Sequence, residues 1–85
     1  MKKHLATISI LIKDRQTHAG DVNVILSKHG DIIISRLGLN LQKQCIQHCS
    51  ALIVVIVDGS NKELNVLTKE LDDLYGIVAE VSKMT

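Results

Sequence analysis

Hydrophobic and polar positions follow the same course twice along this chain. From Leu5 to Ile12, Ala6, Ile8, Ile10 and Ile12 fall on one side of an extended chain, with Leu5, Thr7, Ser9 and Leu11 on the other, the period of two that marks a strand. Asp14 follows, and then Ala19, Val22, Ile25, Leu26 and His29 recur at helical spacing up to Gly30. A second apolar stretch runs from Asp31 to Leu39. The cycle restarts with Leu52 to Val57, which leads into Asp58-Gly59, and Ser60-Asn61-Lys62-Glu63 then reads as a capping box. Leu64, Leu67, Leu71 and Leu74 form the stripe of a second helix, Gly76 ends it, and Ile77 to Met84 is a last strand.

Strand-helix-strand written twice predicts an α+β fold, the ferredoxin-like βαββαβ sandwich. Its strands are expected near residues 4 to 13, 31 to 39, 48 to 58 and 76 to 84, and its helices near 17 to 29 and 61 to 75. Right-handed crossovers place both helices on one face of a four-stranded antiparallel sheet, ordered fourth, first, third, second. Gly30 is expected to end the first helix in the left-handed conformation. The third strand is apolar on both sides, as in a strand covered above and below. The helices can cover only one of those sides. Ile53, Val55 and Val57, joined by Leu5 and Leu11, are assigned to the uncovered face, where a second subunit is the simplest cover.

Composition strengthens the expectation of a homo-oligomer, a dimer or tetramer. Eighty-five residues make one small domain, 1–85, with a modest core. Hydrophobic residues make up 46% of the chain, yet Tyr75 is its single Phe, Trp or Tyr, so the core is built from Ile, Val and Leu. The absence of aromatic residues on the strands argues against RNA binding by base stacking, and a net charge of +1 offers nucleic acid no electrostatic footprint. Ala51 to Val57 is far too short to span a membrane, and Lys2-Lys3 is not followed by a cleavable leader pattern, so a cytoplasmic protein without membrane contact is expected. Cys45 and Cys49 do not suggest a disulfide framework, which agrees with a reducing compartment.

The combination His29-Gly30-Asp31-Ile32-Ile33, Arg36-Leu37-Gly38, Val57-Asp58-Gly59-Ser60, and Leu67, Leu71 and Leu74 before Gly76-Ile77 resembles the small iron-only hydrogenase system regulators. The resemblance spans nearly the whole chain. It implies an ACT-like version of the ferredoxin fold, a homo-oligomer and a regulatory role. Members of the wider ACT group bind amino acids at subunit interfaces near the first strand-helix loop. One departure stands out: the Pro found in many members after the glycine matching Gly38 is replaced here by Leu39-Asn40, ahead of a longer connection.

Candidate chemistry is sparse. Lys13 to His18 forms the junction between the first strand and first helix, where side chains and helix N–H groups can hold an anion, although a charged loop is also ordinary surface. Arg36 lies inside an apolar strand, on the side of Ile32 and Ile34, and either needs an acidic or anionic partner or reaches solvent. Gly38 beside it permits close approach. Asp14, Arg36 and Gly38 are therefore the candidate ligand-binding residues. Cys45, His48 and Cys49 carry metal-ligating atoms, but on an extended strand His48 faces away and the sulfurs stand about 13 Å apart, so no metal site is assigned and the cysteines are expected to be buried or unreactive. Asp72 and Asp73 diverge on a helix, and no nucleophile-base pair is visible, so neither catalysis nor a cofactor is expected. The sequence supports a regulatory module that senses a small anionic metabolite between subunits. Two alternatives remain: an oligomeric scaffold without ligand, and a metal-responsive regulator.

Overall fold

The computed structural model describes residues 3–40 and 49–85. Its elements run β1 (His4–Ile12), α1 (Arg15–Lys28), β2 (Ile33–Asn40), β3 (Ala51–Gly59), α2 (Asn61–Asp72) and β4 (Ile77–Lys83). The strands pair antiparallel in the order β2-β3-β1-β4, the expected ferredoxin-like arrangement. Alternation in β1 has its predicted consequence, since Ala6, Ile8, Ile10 and Ile12 are all fully buried. They meet Val22 and Leu26 of α1 and Leu64, Leu67 and Leu71 of α2 in the core cluster, so both helices cover the same side of the sheet.

Helix ends follow local chemistry. The Ser60 hydroxyl accepts from the Glu63 N–H at 3.2 Å, and the Glu63 carboxylate accepts from the Ser60 N–H at 2.9 Å, which satisfies two donors the helix itself cannot. These bonds hold the Glu63 carboxyl below its ordinary value, the Ser60 backbone N–H contributing most. At the end of α1 the expected left-handed glycine is not found at Gly30. The chain turns there through short-range bonds, His29 N–H to the Leu26 carbonyl at 3.2 Å and Gly30 N–H to that of Ser27 at 3.3 Å. Gly76 is the glycine with positive φ, at 77°. The two helices are tied by Glu70, whose carboxylate accepts from Lys28 Nζ at 3.0 Å and lies 3.2 Å from His29 Nε2. The Lys28 bond is the main reason that carboxyl also sits below its ordinary value.

The registers correct the assignment of faces in β3. Val57 pairs with Ala6, Val55 with Ile8 and Ile53 with Ile10, so all three share the helix-covered side. Val55 and Val57 are fully buried and Ile53 nearly so. They are core residues of one chain and unavailable to a partner. Pairing of Leu52 with Leu11, Val54 with Ser9 and Ile56 with Thr7 puts the other half of β3 on the open side. Leu11 was placed there correctly. Leu37 joins from β2 opposite Val54, and Val78 from β4 opposite Leu11. The result is a continuous apolar surface across all four strands, with Leu37, Ile56 and Val78 well exposed.

Candidate functional site

Local geometry at the end of β1 builds a cleft of about 290 Å³ lined by Lys13, Asp14, His18, Tyr75 and Gly76. Asp14 caps the start of α1, where its carboxylate accepts from the Thr17 hydroxyl at 3.0 Å and its carbonyl accepts from the His18 N–H at 3.0 Å. The opposite wall is the turn from α2 into β4. That turn is fastened to β1 by the Lys13 N–H, which donates to the Gly76 carbonyl at 3.1 Å, and the Lys13 carbonyl accepts from the Ser50 hydroxyl at 3.2 Å. A side chain at position 76 would meet His18: an added Cβ would stand 3.1 Å from Cδ2 and 3.3 Å from Nε2. The bare glycine lets the imidazole settle on the backbone. Tyr75 then lies beside it, the two rings edge to face with centroids 5.9 Å apart.

Of the sequence-predicted residues, Asp14 lines this cleft while Arg36 and Gly38 do not. A register shift between Ile33 and Ser35 leaves Ile34 as an extra, exposed residue, and Arg36 comes to lie opposite Val55. Arg36 thus shares the side of Ile33 rather than that of Ile34, a parity the bulge reversed. The side chain is exposed, and its Nη2 donates to Asn23 Oδ1 of α1 at 2.7 Å. Gly38 pairs with Ile53 at the same edge, with open space around it. Through β3, Arg36 is level with Ile8. That places it roughly 13 Å along the strand direction from Ile12, at about 3.3 Å per residue. One chain therefore does not gather Asp14, Arg36 and Gly38 into a single pocket.

Sequence reasoning placed Lys13 and His18 at this junction but missed Tyr75 and Gly76 as their partners. Tyr75 was read as part of the second helix, whereas α2 stops at Asp72 and the tyrosine belongs to the following turn. A sole aromatic residue lying outside every apolar stripe was the available signal. A second cleft, of about 300 Å³, opens at the far end of the helices beside Lys28, His29, Asp31, Lys62 and Glu63. There Glu63 is engaged by the α2 cap, and Lys28 and His29 by neighbouring Glu70. The first cleft contains the sequence-predicted Asp14 and is taken as the candidate.

Among the described residues, no three His, Cys, Asp or Glu side chains come together as a metal site. Cys45 and His48 lie outside the described residues. Cys49 is buried, as expected, and disulfide-bonded, which corrects the expectation that the cysteines form no disulfide and removes that support for a reducing compartment. Its neighbourhood differs from the expected one because β3 begins only at Ala51, so Cys49 precedes the ladder and is not bound by strand geometry. No helix among the described residues is long and apolar enough to cross a membrane.

Comparison with solved structures finds the same fold in other small proteins. An uncharacterized protein from Thermotoga maritima, TM1266, superposes with a TM-score of 0.88 at 19% identity, covering 99% of this chain and 100% of that one. A PII-like signaling protein of Thermus thermophilus gives a TM-score of 0.67 at 11% identity over 99% of this chain and 91% of its own. CPII of Thiomonas intermedia, a nitrogen regulatory PII-like protein solved with ADP, AMP and bicarbonate, gives 0.60 at 16% identity over 98% and 93%. No curated protein matches the chain. The TM1266-like family, described as "Iron-only hydrogenase system regulator, putative", matches residues 4–81, nearly the whole length. The chain belongs to that family.

Proposed function

We propose that this protein is a non-enzymatic, cytoplasmic regulatory module that assembles into a homo-oligomer through its open sheet face and senses a small anionic metabolite next to the subunit boundary. The observation that carries the reading is the apolar surface formed by Leu11, Leu37, Leu52, Val54, Ile56 and Val78, on the side of the sheet that no helix covers. Soluble monomers seldom leave such a continuous patch in water, and a small domain gains stability by burying it. Asp14 at the cleft supplies a polar anchor. Arg36 and Gly38, on the outer strand β2, stand apart from this cleft and would serve a second anion contact at the sheet edge. The guanidinium's hydrogen bond to Asn23 is to a neutral acceptor, so its charge is available to an anion. The ADP, AMP and bicarbonate held by CPII are anions of this general kind, on a related fold.

Sedimentation together with a thermal-shift screen of carboxylates and phosphates tests the reading. An oligomer is expected, and at least one anion should raise the melting temperature in proportion to its affinity. Arg36→Ala should weaken that response while leaving the subunits assembled. An oligomer that answers to no anion would favour a ligand-free scaffold, and a stable monomer at high concentration would refute the assembly.

A further inference from the structure

Tyr75 is the chain's single Phe, Trp or Tyr and it is not in the core: 88% of it is exposed, at the rim of the cleft by β1. A ring of that size is ordinarily among the first groups a small domain buries. Here the interior is filled without it by Ile, Val and Leu. His18 meets the tyrosine ring at an interplanar angle of 63°, and at this exposure at least one full ring face stays open to a planar group. The pair is held in place from below. Gly76, at φ 77°, leaves room that a Cβ would take from the imidazole, and its carbonyl is bonded to the Lys13 N–H. The aromatic pair and the exposed Lys13 thus border the same space of about 290 Å³. In liquid volume that equals about ten water molecules, which suits one ring and a short substituent.

We propose that this cleft binds a planar aromatic or heteroaromatic ring bearing an acidic group, the ring stacked on Tyr75 beside His18 and the acid paired with the Lys13 ammonium. The proposal rests on the small-anion reading above and goes further in requiring a ring and in naming Tyr75 and Lys13 as its contacts. Stacking on an aromatic side chain tolerates any planar ring, so selectivity falls to the polar groups. Lys13 selects an acid. The Asp14 carboxylate, held by Thr17, repels a second anionic group placed near it.

Proton NMR of the full chain reads the contact directly, because no other Phe, Tyr or Trp overlaps the Tyr75 ring signals. The probes are AMP and nicotinate, which present a ring with a phosphate or a carboxylate, against adenosine, inorganic phosphate and acetate, which present one half each. AMP or nicotinate should move the Tyr75 and His18 ring resonances and bind at least tenfold more tightly than its matching halves. Which of the two binds better separates a phosphate ligand from a carboxylate one. Tyr75→Ala should weaken binding about tenfold or more, the scale of one lost stacking contact, while Tyr75→Phe should stay within about twofold of the parent. Lys13→Ala should weaken binding and flatten its salt dependence. Both positions are exposed, so circular dichroism and melting of the variants should match the parent. Tyr75 resonances unmoved by either ring acid, or a Tyr75→Ala variant that binds like the parent, would overturn the proposal. If acetate or phosphate stabilises the protein independently of Tyr75, the ring requirement falls and the anion reading stands. If no acid binds at all, both fall.

Discussion

Two adjacent valines in β3 separate the core of the chain from its open face, and introducing a charge at each should have opposite consequences. Val55 is fully buried and paired with Ile8 under the helices, whereas Val54 is half-buried on the other side, between Ser9 and Leu37. In Val55→Asp the carboxylate is cut off from water between Ile8 and Arg36, whose guanidinium is engaged by Asn23 at the outer strand, and a buried charge compensated only in part costs up to about 3–5 kcal/mol. The lost valine contacts add about 2 kcal/mol, from ~0.8 kcal/mol per buried carbon and a cavity contribution. A chain of this length has a total stability of about 4–13 kcal/mol, at 0.05–0.15 kcal/mol per residue, so the sum is a large fraction of it. Val55→Asp should therefore be unfolded or molten by far-UV and near-UV circular dichroism at any protein concentration. Val54→Asp keeps its carboxylate hydrated in the single chain. It should retain the native far-UV spectrum and sediment as a monomer, and its melting temperature should no longer depend on concentration. A well-folded Val55→Asp protein, or a Val54→Asp protein as unfolded as its neighbour, would refute the assignment of faces.

Other perturbations probe single devices. Gly76→Ala forces a side chain into a left-handed conformation and against His18, and should cost about 1–2 kcal/mol, read as a lower melting temperature by roughly 4–16 °C. Ser60→Ala removes one half of the capping box and should cost about 1 kcal/mol in chemical denaturation. Because the Glu63 and Glu70 carboxyls are held below their ordinary value of 4.5 in the fold, their stabilising contribution is present above that pH and is lost as pH falls through the lowered values. Replacing both with Gln should accordingly flatten the acid limb of a stability–pH curve and leave its neutral-to-basic shape unchanged; an unchanged acid limb would contradict the pairing.

How much of this was legible beforehand depended on whether the information was local. The alternation of β1, the leucine stripe of α2 and the Ser60–Glu63 box each rest on residues within a turn or two of one another, and each is found where the pattern placed it. Strand order followed as well, because handed crossovers leave a βαββαβ chain few other arrangements. The facing of β3 was not legible. Every residue from Leu52 to Val57 is apolar, so its period of two carries no sign, and only pairing with the alternating β1 shows that Val55 points inward and Val54 outward. In β2 the obstacle was a bulge, which shifts parity by one residue with no marker such as Pro or Gly at Ile34. The cleft lay furthest out of reach, since Lys13 and His18 stand about sixty residues from Tyr75 and Gly76 and meet only when β1 and β4 pair. Amino-acid order determined the elements and their succession, through contacts between near neighbours. Which face lies buried, and which distant polar groups share a site, was decided by tertiary pairing, because both depend on partners remote in the chain.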